Sequence, residues 1–187
     1  MALRIEKKFQ VEEPIEKVWA LLSDPRQVAT CVPGAQITEQ VGEKTYKGAI
    51  NVKVGPSVTD YKGEVQIARL DAQNHEIEIL GKGQDVRGRG SASMRMTGKL
   101  NPLGDGGTEV TSVSEVNVVG ILAQMGSRVI TEVSNILFEE FMKNFQARVK
   151  QASDATERPA TAAGDPKPIN ASSLAWQTAK GLFRGKS

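Results

Sequence analysis

The chain has 187 residues but one cysteine, one histidine and an aromatic content of only 5%. The single thiol, Cys31, excludes an intramolecular disulfide framework and any multi-cysteine zinc site, and it fits a reducing compartment. With His75 as the sole imidazole, a metal site would have to rest on carboxylates, which are scattered, so none is expected. The longest apolar stretch, residues 116–125, is interrupted by Asn117, Gly120 and Gln124 and is too short to span a bilayer. The opening residues lack the apolar core of a secretory signal. Lys167, Lys180, Arg184 and Lys186 more than account for the formal +2 of the chain, which leaves −2 on residues 1–165. A body without a basic stripe is no nucleic-acid binder. The expectation is a cytoplasmic protein that does not cross a membrane.

Hydrophobic periodicity organises the first 150 or so residues. Leu3, Ile5, Phe9 and Val11 alternate with polar residues, interrupted in phase by Lys7, and predict a half-buried strand. Pro14 suits the first position of a helix over residues 15–22, and Asp24-Pro25 repeats the signal for a short helix over 26–32, stopped by Pro33-Gly34. The period then changes to two. Strands are predicted over 35–41, 45–54, 57–70, 75–83, 89–101 and 108–119, separated by short breaks rich in Gly, Pro, Asp and Asn. Such short breaks require antiparallel neighbours. A single long helix is predicted over 121–151, with Leu122, Met125, Val129, Val133, Ile136, Leu137, Phe141 and Phe145 on its apolar face. The class is α+β: a curved antiparallel sheet of about seven strands wrapped around the last helix.

Three segments follow from this pattern: a ligand-binding domain over 1–152, a flexible linker over 153–169 and a tail over 170–187. Wound as a helix, the tail gathers Leu174, Trp176, Leu182 and Phe183 on one broad arc, with Lys180 and Arg184 filling the rest and Lys186 following. A basic aromatic amphipathic segment suits an anionic bilayer surface. Burying the four apolar side chains yields about 1.5–3 kcal/mol each, and each basic residue adds about 1 kcal/mol. Ordering the segment costs about 1–2 kcal/mol per residue. That cost, partly offset by helix hydrogen bonds, opposes the burial and charge terms, so the docking is expected to be reversible. The linker gives a reach of roughly 20–25 Å.

Several segments together resemble the carbon monoxide dehydrogenase G-subunit (CoxG) family, within the START-like (SRPBCC, Bet v 1-type helix-grip) superfamily. They are Asp24-Pro25 with Cys31-Val32-Pro33-Gly34-Ala35, Val54-Gly55-Pro56 with Tyr61-Lys62-Gly63-Glu64, the run Gly81-Lys82-Gly83-Gln84-Asp85-Val86-Arg87-Gly88-Arg89-Gly90, and Val118-Val119-Gly120-Ile121-Leu122-Ala123-Gln124-Met125-Gly126. The resemblance implies a helix-grip fold with an apolar hollow. It also implies an accessory protein of a molybdenum CO dehydrogenase or related hydroxylase, at the inner face of the cytoplasmic membrane. It brings no catalytic residue.

The motifs with chemical promise have plainer readings. The glycine-rich run 81–90 matches neither phosphate-binding pattern and joins two strands, so it reads as a hairpin. A functional alternative makes Lys82, Arg87 and Arg89 a basic rim or docking surface. Cys31 would need a nearby base, whereas His75 sits in a turn and reads as exposed; a buried structural thiol is the better reading. Glu64 and Glu78 lie on the polar phase of their strands, Asp60 shares the phase of Glu64, and Glu115 is ambiguous; none is taken as catalytic.

The inward phase is apolar. Tyr46, Ile50 and Val52 alternate in one strand, Tyr61, Val65 and Ile67 in the next, then Ile77 and Ile79, then Met94 and Met96, with Met125, Val129 and Val133 opposite on the helix. The plain reading is a filled core; the resemblance makes these residues the lining of a ligand-binding hollow. The expected ligand is a respiratory quinone or another prenyl lipid, held non-covalently, and the expected partners are the molybdenum enzyme and an anionic membrane surface. The alternatives are a cyclase or hydrolase acting on a hydrophobic substrate, and an assembly factor without ligand.

Overall fold

The computed structural model describes residues 1–54 and 57–157. The element order is β1 (Ala2–Val11), α1 (Ile15–Leu22), α2 (Pro25–Cys31), β2 (Ala35–Gly42), β3 (Thr45–Val54), β4 (Ser57–Asp71), β5 (Glu76–Asp85), β6 (Gly90–Pro102), β7 (Thr108–Gly120), α3 (Ile121–Gln124) and α4 (Ser127–Glu157). The strands form one antiparallel sheet in the order β1-β7-β6-β5-β4-β3-β2. All strand boundaries fall within two residues of those predicted, because each hairpin is set by its own turn residues. The Asp24 carboxylate caps α2 by accepting from the Arg26 N–H at 2.9 Å, and Pro25 opens that helix. Chain contacts group Met1–Ala155 as one unit. The tail, including Leu174, Trp176, Lys180, Leu182, Phe183, Arg184 and Lys186, lies outside the described residues, as does the linker from residue 158 onward.

Two expectations about the last helix are corrected. It is not continuous from residue 121: α3 stops at Met125, and Gly126 at φ +85° breaks the chain before α4 begins. Met125 therefore caps α3 and is not part of the α4 face. A spacing of four between Met125, Val129 and Val133 cannot reveal this, since only glycine readily takes that backbone conformation. At its other end α4 continues past residue 152, through Glu157. Buried Ser153 donates to Glu13 Oε2 at 2.7 Å and to the Val149 carbonyl at 3.2 Å, which ties this turn to the start of α1.

The closed core sits at one end of the sheet. Phe9, Val11, Leu100 and Val110 meet Ile15 and Val18 of α1, Cys31 of α2, and Phe145 and Val149 of α4. Phe9 makes edge-to-face contacts with Phe138, Phe141 and Phe145 at centroid distances of 5.7, 6.3 and 6.0 Å, so α4 lies against this face of the sheet. Cys31 is buried there, as expected of a structural thiol. His75 is not simply exposed. It is half-buried at φ +51°, with its ring edge-on to Trp19 at 5.3 Å, because the β4–β5 turn folds back onto α1.

Candidate functional site

Strand register decides which side chains share the face turned to α4. One row runs Tyr46, Val65, Gly81, Met94, Val116 and Leu3; the next runs Ile67, Ile79, Met96, Ser114 and Ile5. Ile50 and Tyr61 pair on the same face at one end, with Val52 beyond them, and Ile77 lies on it toward the core. All ten strand residues predicted for the lining are thus brought onto one face. Val129 and Val133 are half-buried one turn apart on α4, while Met125 is displaced to the α3 cap.

This part of the inner face is apolar but not closed. Leu3, Ile5, Ile50, Ile79, Met94, Met96 and Val116 are each only half-buried. Val65 and Leu70, both in the inward phase, are 38% exposed, and Ile136 of α4 is 55% exposed. None of these side chains belongs to the core cluster around Phe9 and Phe145. The face is widened by missing side chains: a Cβ at Gly81 would meet only the Met94 side chain, at 3.6 and 3.9 Å.

Polar groups punctuate the inner face at two places. Lys7 does face inward; its amine reaches Asn135 on α4 and lies 5.1 Å from the Phe138 ring centre. The second group is one that the sequence pattern does not single out. Asp85 closes β5 in register with Tyr61 and is 3% exposed. Arg89 donates to it from Nε at 3.1 Å and Nη2 at 2.9 Å, and the Arg87 N–H donates at 2.9 Å. These bonds, led by the Arg89 side chain, outweigh desolvation and hold the carboxyl at about 2. The Tyr61 phenol is pushed up by burial and by Asp85, against the pull of Arg89. Its hydroxyl is buried without a hydrogen-bond partner among the described residues, a state that costs about 1–3 kcal/mol when nothing satisfies it.

The carboxylates considered for acid–base chemistry lie elsewhere. Glu115 is exposed, in register between Arg4 and Arg95; Asp60 accepts from the Asn51 amide; Glu64 pairs with Lys82 at 3.0 Å and Glu78 with Arg95 at 2.8 Å, all on the outer face. Lys82, Arg87 and Arg89 form no common rim. Lys82 belongs to the outer face, beside a depression of about 500 Å³, Arg87 is exposed, and Arg89 turns to Asp85. Among the described residues no group of three or more His, Cys, Asp and Glu side chains is placed to hold a metal ion. No described helix is long and apolar enough to cross a membrane.

The family model described as the carbon monoxide dehydrogenase G-subunit (CoxG) matches residues 8–150. The chain belongs to that family. Among solved structures, this CoxG-family chain is similar to a conserved protein from Geobacillus kaustophilus, with 23% identity and a TM-score of 0.73 over 80% of this chain and 97% of that one. The Zhui aromatase/cyclase from Streptomyces sp. R1128 shares 15% identity and a TM-score of 0.55, over 86% and 99%. A START superfamily protein from Mycobacterium smegmatis shares 15% identity and a TM-score of 0.54, over 80% and 98%. At these identities the likeness shows the fold alone, a helix-grip fold. No curated protein matches the chain.

Proposed function

We propose that this CoxG-family chain is a non-enzymatic accessory protein of a molybdenum CO dehydrogenase-type oxidoreductase, which carries a lipophilic ligand on its inner face. The observation that carries the reading is the apolar half of that face, where Val65 remains 38% exposed and Met94, Met96 and Val116 stay only half-buried outside the closed core. A protein that needed only a docking scaffold would gain about 25 cal/mol for each Å² of that surface by closing over it. The ligand is a respiratory quinone. An oxidoreductase without a membrane span passes electrons to an acceptor whose tail keeps it in the bilayer, and an apolar hollow shields such a tail in transit. The basic aromatic pattern of residues 170–187 supplies reversible contact with anionic lipid at the inner face of the cytoplasmic membrane.

The cyclase or hydrolase reading requires an inward acid or base free to act. Asp85 does point inward, but four donated hydrogen bonds and a carboxyl held at about 2 keep it an engaged anion, and the inward Tyr61 phenol has no hydrogen-bonded base beside it among the described residues. Native mass spectrometry of the full chain from its own host, with organic extraction, tests the carrier reading. One prenyl lipid per chain is expected. A chain that arrives empty, and stays empty when offered decylubiquinone, overturns it in favour of an assembly factor.

A further inference from the structure

Tyr61 is 6% exposed, and its hydroxyl is sealed from solvent with no acceptor or donor in reach among the described residues. Buried side-chain polar atoms in this state are uncommon, and each calls for a partner. The neighbouring carboxylate is not that partner. Asp85 Oδ1 accepts from the Arg87 N–H, the Arg89 N–H and Arg89 Nε, and Oδ2 accepts from Arg89 Nη2. The pair is a closed unit that fills the end of the row and leaves the phenol over. Burial and Asp85 both favour the protonated phenol, so at neutral pH it offers a proton to an acceptor. The side chain belongs to the inner face, beside Gly83, where a Cβ would stand 3.8 Å from Tyr61 Cβ and Cδ1. From Tyr61 and Gly83 the same face runs through Gly81 to Met94, Met96 and Ile5, from one polar point to an apolar track.

We propose that the Tyr61 hydroxyl is the hydrogen-bond donor for a carbonyl oxygen of the ligand's head group, and that the ligand's apolar remainder lies along Met94, Met96 and Ile5. The inference rests on the carrier reading and adds the orientation of the ligand and the chemistry it must present. A neutral acceptor fits, because a second carboxylate would meet Asp85 across the strand pair. A quinone head, with two carbonyl oxygens and no donor, meets the requirement.

The test uses the full chain, Tyr61→Phe, and two probes sharing an alkyl tail: decylubiquinone, and n-decylbenzene, whose ring bears no oxygen. Calorimetric titration is expected to show tighter binding of the quinone by wild type. Tyr61→Phe should weaken decylubiquinone roughly 2- to 10-fold, the worth of one net hydrogen bond, and leave n-decylbenzene unchanged. The carbonyl stretching band of bound quinone, lowered in wild type, should return toward its free position in the variant. The ligand-free variant should melt no lower than wild type, since it loses only an unpaired oxygen. Equal affinity of both proteins for decylubiquinone, or an equal loss for both probes, rejects the role of the hydroxyl while the carrier reading stands. If wild type takes up neither probe, the carrier reading itself fails and the inference goes with it.

Discussion

Gly63→Ala adds one carbon where the backbones of β4 and β5 approach closely. Gly48, Gly63 and Gly83 lie in register across β3, β4 and β5. A Cβ on Gly63 would stand 1.9 Å from the Lys82 carbonyl oxygen and 2.6 Å from Gly83 Cα. Both obstacles are backbone, so no side chain can swing aside; β4 and β5 must part by about 1 Å or more to restore ordinary contact. Overpacking a well-packed site costs about 1–3 kcal/mol, and a backbone clash between two central strands belongs at the upper end. For a domain of this size about 3 kcal/mol lowers Tm by roughly 6–12 °C. Thermal unfolding followed by circular dichroism measures it, with Gly104→Ala as the control, because no described atom lies within 4 Å of a Cβ there. If Gly63→Ala melts with wild type and Gly104→Ala, the tight β4–β5 approach is wrong, and with it the curvature that shapes the inner face.

Other expectations concern the core, the buried ion pair and the tail. Phe145→Ala removes a side chain with no exposed surface, packed on Phe9 and Phe141, and should lower unfolding free energy by about 3–5 kcal/mol in urea titration. Asp85 titrates at about 2 in the native protein, below the about 4 of a free aspartate, so the native state binds fewer protons between those values. Its contribution is therefore complete above about pH 4 and lost as pH falls toward 2. Wild type should lose more stability across that window than Asp85→Asn, and parallel acid profiles for the two proteins contradict the pairing. Deleting residues 170–187 should release the protein from anionic vesicles in co-sedimentation; undiminished binding by the truncated chain removes the tail from the account.

Much of the fold is written locally in the residues. Tyr61, Val65 and Ile67 alternate with Lys62, Glu64 and Gln66, and each hairpin carries its own Gly, Pro, Asp or Asn, so both the strands and their inward phase can be read without tertiary information. The break at Gly126 cannot, because the apolar spacing of Met125, Val129 and Val133 is the same for a continuous helix. Asp85, between Gln84 and Val86, reads as one more turn residue. Two signals nevertheless mark it. It continues the inward phase of Ile77, Ile79, Gly81 and Gly83, and an arginine follows four residues later across a tight turn. What sequence alone does not supply is the register that sets Asp85 opposite Tyr61, since cross-strand pairing is a property of two segments together. The incomplete closure of the lining is likewise invisible in an apolar stripe, which looks the same whether it is filled or open.

The central claim is that the open inner face holds the ligand, and a residue built into that space tests it most directly. A Cβ on Gly81 meets only Met94 at van der Waals distance, so Gly81→Leu can fold while its side chain occupies the track beside Met94. Decylubiquinone binding by calorimetry, with melting temperature as the check on folding, is the measurement. The account predicts one quinone per wild-type chain, and a folded Gly81→Leu that has lost at least most of its affinity. A folded Gly81→Leu that binds as tightly as wild type would place the ligand elsewhere and contradict it.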